Sequence, residues 1–310
     1  VWIFFLFALG AFVFVAPEFS RKNHFASENS ERNYHVVVVG ESDSYVFLNQ
    51  VFQGAESLAK KYNALVELKV PRSEAENLSL EALIDYASFV NADGIIAAVN
   101  SESPALKKVF RIDGTEIPII TLGHYSQKNS QVSFIGYNYS ALGNRIASES
   151  ISLFNADGTA YILPDENSSV SNSANVLNSI LDFYRQKGIS NFQVIGKSAE
   201  ENESQIHEIM SKKSAEKNSV VICLTEAESM RVLQIASSHE NFSFNILGFG
   251  ENEILSTYLE KGILTKLISP DLQKIGSAAM TELFEYRNKG YANNYINAEL
   301  KVQEAKNEID

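Results

Sequence analysis

The sequence predicts an α/β fold of two similar domains, each a mostly parallel sheet flanked by helices. Three observations carry this reading. Short apolar runs alternate regularly with amphipathic stretches of helical length. The runs are apolar at nearly every position, as strands covered by helices on both faces must be. They also fall into two blocks, 35–123 and about 159–250. That is too much for one doubly wound sheet of ordinary size, so two domains fit better.

In order along the chain, HVVVVG (35–40) is the first strand and 46–62 the first helix. ALVELKV (64–70), a helix at 79–91 and GIIAAV (94–99) follow. A helix is expected at 104–111, with Pro104 in its first turn, where a missing N–H costs nothing. IPIITLG (117–123) closes the first block. Beyond it a helix is expected at 139–154, then TAYILP (159–164) and a helix at 173–187 ended by Lys187 and Gly188. NFQVIG (191–196), a helix at 199–213, SVVICL (219–224), a helix at 226–238 and FNILGFG (244–250) complete the second block. Helices at 251–261 and 271–289 end at Gly262 and Gly290, after Lys261 and Lys289. Such strand–helix–strand units are right-handed.

Composition narrows the function. The chain has 310 residues, 45% of them hydrophobic, which excludes collagen-like and disordered classes. Lys and Arg number 26 against 38 Asp and Glu, for a net charge of -12. Such a chain is no general nucleic-acid binder, because a phosphate backbone needs a positive surface. Cys223 is the single cysteine, so no intramolecular disulfide forms, and its apolar strand marks it as a core residue.

Residues 1–16, VWIFFLFALGAFVFVA, carry no charge. As a helix they would reach about 24 Å, short for a full span but suited to a signal peptide or a membrane anchor. Both readings stay open, with a buried core helix as a third. No clear A-x-A cleavage pattern follows, and Arg21 and Lys22 weakly oppose simple export. A polar linker occupies 17–34. The expected location is extracytoplasmic, membrane-anchored or secreted.

Catalytic patterns are missing. The chain has no G-x-G-x-x-G, no G-x-x-x-x-G-K-[ST] and no G-x-S-x-G. His24, His35, His124, His207 and His239 include no H-x-x-x-H pair. Paired acids such as Glu200 and Glu201 lie in solvated helices, as do His207 and Glu208. The acids that follow GFG (248–250) suit a helix dipole and would repel a phosphate. No enzyme, metal site or cofactor is expected. His124 with an acid such as Asp43 lacks a nucleophile.

The loops after the strands are more informative, since open α/β sheets bind ligands beyond the carboxyl ends of their strands. Ser42, Ser44, Tyr45 and Phe47 follow the first strand. Aromatic faces stack on sugar rings and hydroxyls fix orientation. The alternative is a helix cap from Ser42 or Ser44, with Phe47 in the core. Asn100 after the third strand donates and accepts at once, as a polyol requires, or serves as a turn residue. His124 after the fourth hydrogen-bonds a ligand or lies exposed. Tyr137 and Asn138 follow VSFIG, where the first half passes to the second. Thr225 and Glu226 follow SVVICL, and Phe249 and Gly250 end ILGFG.

An ordered series of segments is then telling: 44–71, NADGIIAAV (91–99), IPIITLG (117–123), FIGYNYSALGNRIASE (134–149), NILGFGENEILSTYLEKGIL (245–264) and ISPDLQKIGSAAMTELFEYRNKG (268–290). With them the chain, over about 35–310, resembles the type I periplasmic binding protein superfamily. It looks most like the ribose- and galactose-binding-protein-like group, which also supplies the ligand domain of lactose-repressor-type regulators. It looks closest to the membrane-tethered solute-binding proteins found beside sensor kinases or sugar importers. The resemblance implies two Rossmann-like lobes joined by a three-strand hinge: 35–137 plus 269–291, and 138–268 plus 292–310. It implies a receptor without catalysis that closes on a small, sugar-like ligand and acts on a membrane sensor kinase or an ABC permease.

By the family's pattern the ligand positions fall on Tyr45, Phe47, Asn100, Gly123, His124, Tyr137, Asn138, Thr225, Phe249 and Gly250. The departures matter. Family sugar binders place aspartates where this chain has Gly123 and Gly250, an arginine where it has His124, and a glutamine-like residue at Ile268. PDENSSVSNSANV also lacks the arginine expected there. Without those charge-assisted bonds an ordinary pyranose is held less well. The site then takes a less hydroxylated or more apolar ligand, or the chain is a ligandless interaction module of the same fold regulating a membrane partner.

Overall fold

The computed structural model describes residues 33–71, 78–100, 103–164, 171–196, 204–209, 218–238 and 244–305. The apolar segment 1–16, His24, His239, Glu200 and Glu201 lie outside these residues. So does most of the helix expected at 199–213, of which 204–209 is helical.

The first sheet contains β1 (Tyr34–Val39), β2 (Ala64–Lys69), β3 (Gly94–Val99), β6 (Ile119–Gly123), β7 (Ser133–Gly136) and β13 (Tyr295–Asn297). Its order is β13-β7-β6-β3-β1-β2, and every pairing is parallel. The second sheet contains β8 (Ala160–Leu163), β9 (Phe192–Val194), β10 (Val220–Cys223), β11 (Asn245–Phe249), β12 (Lys266–Pro270) and β14 (Leu300–Glu304). Its order is β14-β12-β11-β10-β8-β9, with β14 antiparallel to β12. A small antiparallel hairpin joins β4 (Val109–Phe110) to β5 (Glu116–Ile117).

Burial explains the apolar runs. Alternate residues of a strand face opposite sides of the sheet. Val36 and Val38 pack in one core with Leu48 of α1 (Tyr45–Ser57) and Leu283 of α7 (Leu272–Lys289). Val37 and Val39 pack on the other face with Leu83 of α2 (Leu80–Phe89). All four valines are fully buried, each worth about 1.5–3 kcal/mol. The second sheet repeats the scheme. Ile162 and Ile222 pack with Ile146 of α3 (Tyr139–Ser150) and Ile180 of α4 (Ser171–Gln186). Leu163 and Cys223 pack with Val232 of α5 (Glu226–Ser238) and Leu255 of α6 (Glu253–Glu260). The Cys223 thiol is buried, and burial pushes its pKa up.

The chain passes between the sheets three times: from β7 into α3, from β12 into α7, and from β13 to β14. Expectation and structure differ in three places. Residues 104–111 are not a helix. Leu106 donates its N–H to Asn129 Oδ1 and accepts from Ser130 N, and Val109–Phe110 pairs as β4, so loop and hairpin bonds replace helical ones. A stretch this short gains little from helix nucleation. Each sheet also has more strands than the apolar blocks held, because β7 and β12–β14 are short or polar. Finally, the division expected at residue 292 falls later, since Tyr295–Asn297 pairs with β7 in the first sheet.

Candidate functional site

The loops at the carboxyl ends of the first sheet are tied together. Asn100 donates from Nδ2 to Glu41 Oε2 at 2.9 Å. Its Oδ1 accepts from Ser103 N at 2.7 Å and Ser103 Oγ at 3.0 Å. Ser42 and Ser44 sit in a 3-10 turn that leads into α1, and neither hydroxyl caps that helix. Ser44 Oγ donates instead to Glu41 O at 2.6 Å. Tyr45 is exposed, whereas Phe47 packs against the core. The side chain of Asp43 lies outside the described residues.

Gly123 has φ +89°, and a Cβ there would lie 2.6 Å from Val99 O. That carbonyl accepts from His124 N at 2.8 Å. An aspartate at 123 would meet both a left-handed backbone and a clash. His124 is exposed, and its side chain has no hydrogen-bond partner among the described residues.

The second sheet supplies the carboxylate that position 250 lacks. Glu226, just beyond β10, accepts at Oε2 from Glu251 N at 2.7 Å and Asn252 N at 3.0 Å. Gly250 has φ +146°, and a Cβ there would lie 2.8 Å from Cβ, Cγ and Oε2 of Glu226. Glu226 therefore fills the ground an aspartate at 250 would need. Thr225 Oγ1 accepts from Glu228 N at 3.2 Å and so caps α5. Ser229 Oγ joins Phe249 N, at 2.9 Å, to Thr225 O, at 2.8 Å, so Thr225 and Phe249 share one junction. Phe249 itself is half-buried against the core.

Tyr137 and Asn138 occupy the first crossing. Asn138 Oδ1 accepts from Ala141 N and caps α3, while Asn138 N donates to Asn297 Oδ1 at 2.9 Å. A groove of about 240 Å³ beside them is lined by Arg145, Asn297 and Glu299. Burial raises the Tyr137 pKa, and the charge of Glu251 raises it further. Burial, then the neighbouring Glu226, pushes Glu251 up to about 7. Glu251 follows β11 and Tyr137 follows β7, so each lies just beyond the carboxyl end of a strand in its own sheet.

The structure thus joins Asn100 to the Ser42–Ser44 loop through Glu41, Thr225 to Phe249 through Ser229, and Tyr137 with Asn138 to the last crossing. The pairing of Val99 with Gly123 also sets His124 beside Asn100, although no side-chain hydrogen bond joins His124 to the others among the described residues. Glu41, Glu226 and Glu251 stand out in three dimensions. The sequence signal for Glu226 was a glycine after the strand GF, opposite an acid after the neighbouring strand. Among the described residues no group of three or more His, Cys, Asp or Glu side chains is placed to hold a metal ion.

Residues 36–290 match the family model of the periplasmic binding protein domain. The chain belongs to the periplasmic binding protein family. Its members are solute-binding proteins without catalytic activity. Among solved structures this periplasmic binding protein is similar to AraP, an arabinose binding protein from Geobacillus stearothermophilus, at TM-score 0.70 and 14% identity, covering 88% of this chain and 97% of that one. A mutant XylFII–LytSN complex matches at TM-score 0.67 and 16% identity, covering 89% and 99%. GanP, a glucose-galactose binding protein from Geobacillus stearothermophilus, matches at 0.59 and 18%, covering 90% and 100%. No curated protein matches by sequence. The architecture is the type I form, two α/β lobes with sheets flanked by helices.

Proposed function

We propose that this periplasmic binding protein is an extracytoplasmic receptor whose lobes close on a small, sugar-like ligand and report closure to a membrane sensor kinase or an ABC permease. The observation that carries this reading is the two-lobed family fold, in which Tyr45 and Asn100 follow strands of one sheet and Glu226 follows a strand of the other, each beyond the carboxyl end. On the first lobe Tyr45 offers an exposed ring and Asn100 an amide. On the second, Glu226 offers a carboxylate acceptor for ligand hydroxyls in place of the missing aspartate. Population shift between open and closed forms is the means of reporting. The arabinose and glucose-galactose names of the similar folds support a sugar. The XylFII–LytSN complex supports a partner protein.

A second reading, a ligandless module of the same fold, is favoured by one observation. Asn100 and Glu226 already spend hydrogen bonds inside the chain. Native mass spectrometry of the purified chain, followed by thermal-shift screening with pentoses, hexoses and polyols, separates the two. A co-purifying small molecule, or a saturable shift above about 4 °C, supports the receptor. Silence across the panel supports the module.

A further inference from the structure

The end of the first lobe opposite the candidate site carries a surface of a different kind. Phe89, at the end of α2, is 78% exposed, Ile112 79% and Phe110 47%. They are neighbours: Ile112 N donates to Asn91 Oδ1 at 3.0 Å, and Ser88 Oγ donates to Phe110 O at 2.6 Å. Next to them a groove of about 440 Å³ is lined by Tyr34, Arg111, Tyr286 and Arg287. Arg111 is held by Asp93 at 2.8 Å. Arg287 lies over the Tyr34 ring, 4.9 Å from its centroid, and has no ion pair among the described residues. From Tyr34 the contacts continue through Phe284 to Tyr62, whose ring lies under Lys61. Exposed Lys60 and Lys61 also lack an acid partner among the described residues. Nearby Glu116 and Glu285 are paired with Lys108 and Lys289, which leaves Asp113 of the hairpin turn, Asp85 one turn before Phe89 and Glu56 one turn before Lys60 as exposed acids of this region.

Protruding apolar side chains mixed with unpaired cations match a lipid headgroup layer, where rings and alkyl groups enter the interface and cations meet phosphates. A chain of net charge -12 is repelled by an anionic surface unless it presents a cationic part to it. Tyr34 opens β1 and lines this groove, so the linker reaches the lobe at this same end. Residues 17–33 span roughly 60 Å at most when extended, and the apolar stretch 1–16 lies directly before them. We propose that this end of the first lobe rests on an anionic lipid surface, with Phe89, Phe110 and Ile112 in the headgroup region and Lys60, Lys61 and Arg287 against lipid phosphates. The proposal rests on the reading that residues 1–16 hold the chain at a membrane.

The test uses the full chain with Ile112→Cys carrying an environment-sensitive fluorophore, and Lys187→Cys on the second lobe as the control. Buried Cys223 stays unlabelled. Each protein is mixed with vesicles of phosphatidylcholine alone or with phosphatidylglycerol, both containing brominated lipid as quencher. Co-sedimentation reports the anchor, and quenching reports the surface. The expected result is co-sedimentation with either vesicle, and quenching at 112 but not at 187 that needs phosphatidylglycerol. That quenching is lost when Lys60→Gln, Lys61→Gln and Arg287→Gln are combined. Co-sedimentation without quenching at 112 overturns the proposal and leaves the anchor standing. No co-sedimentation overturns both. A label at 112 shielded by native membranes but not by lipid vesicles assigns the surface to a protein partner and also overturns it.

Discussion

At the residue scale Gly250 and Glu226 share one tightly packed junction. Gly250→Asp would force a side chain onto φ +146° and into Glu226, so a loss of about 2–4 kcal/mol in urea unfolding is expected. Glu226→Ala leaves two backbone N–H groups without their acceptor and should cost about 1–3 kcal/mol. Combined, the two changes should cost less than their sum, because the alanine removes the clash and the aspartate returns a carboxylate. A strictly additive pair would contradict this geometry. Glu251 adds a pH dependence. It keeps its proton to about pH 7 when folded, against an ordinary 4.5. The folded chain therefore binds the extra proton between those values. Stability falls as pH rises through that window, by roughly 3 kcal/mol, and the loss is complete above it. Urea titrations from pH 4 to 8 should show that slope, and Glu251→Gln should flatten it. The departures at 123 and 250 were visible in the sequence as glycines where acids were expected. Their cause was not, because it lies in a backbone angle and in a side chain from another loop.

At the element scale, strands buried on both faces were legible because every residue in them is apolar. β1 shows this with four consecutive buried valines. Edge strands were not. Tyr295–Asn297 and Leu300–Glu304 are short and largely polar, and only pairing to β7 and β12 makes them strands. The stretch 104–111 has a helix-like start at Pro104, yet Leu106 bonds to Asn129 and Ser130 and Val109–Phe110 pairs in a hairpin with Glu116–Ile117. Packing of α1 on α7 gives a further prediction. A Cβ on Gly276 would lie 1.9 Å from Val51 O, and one on Gly54 1.9 Å from Gln273 O. Gly276→Ala must push the helices apart, and about 1–3 kcal/mol should disappear from thermal unfolding. An unchanged unfolding temperature would show that the two helices separate freely.

At the scale of the whole molecule, two lobes joined by three crossings form a device with two ends. The carboxyl ends of the sheets hold the candidate ligand groups, and the amino end of the first lobe carries exposed rings and cations that have no acid partner among the described residues. The two-lobed plan was readable from the ordered segments. The placement of the last crossing required the strand pairings. Closure on a ligand would bring the lobes together, and a distance between them measures it. Lys128→Cys on the first lobe and Glu253→Cys on the second are both exposed, so a donor and an acceptor dye can be placed there. Single-molecule energy transfer would then be recorded without sugar and with each pentose, hexose and polyol at saturation. One sugar class is expected to move the population to a single high-transfer state, with a midpoint that follows its concentration. A distribution that no member of the panel moves would contradict a ligand-closed receptor.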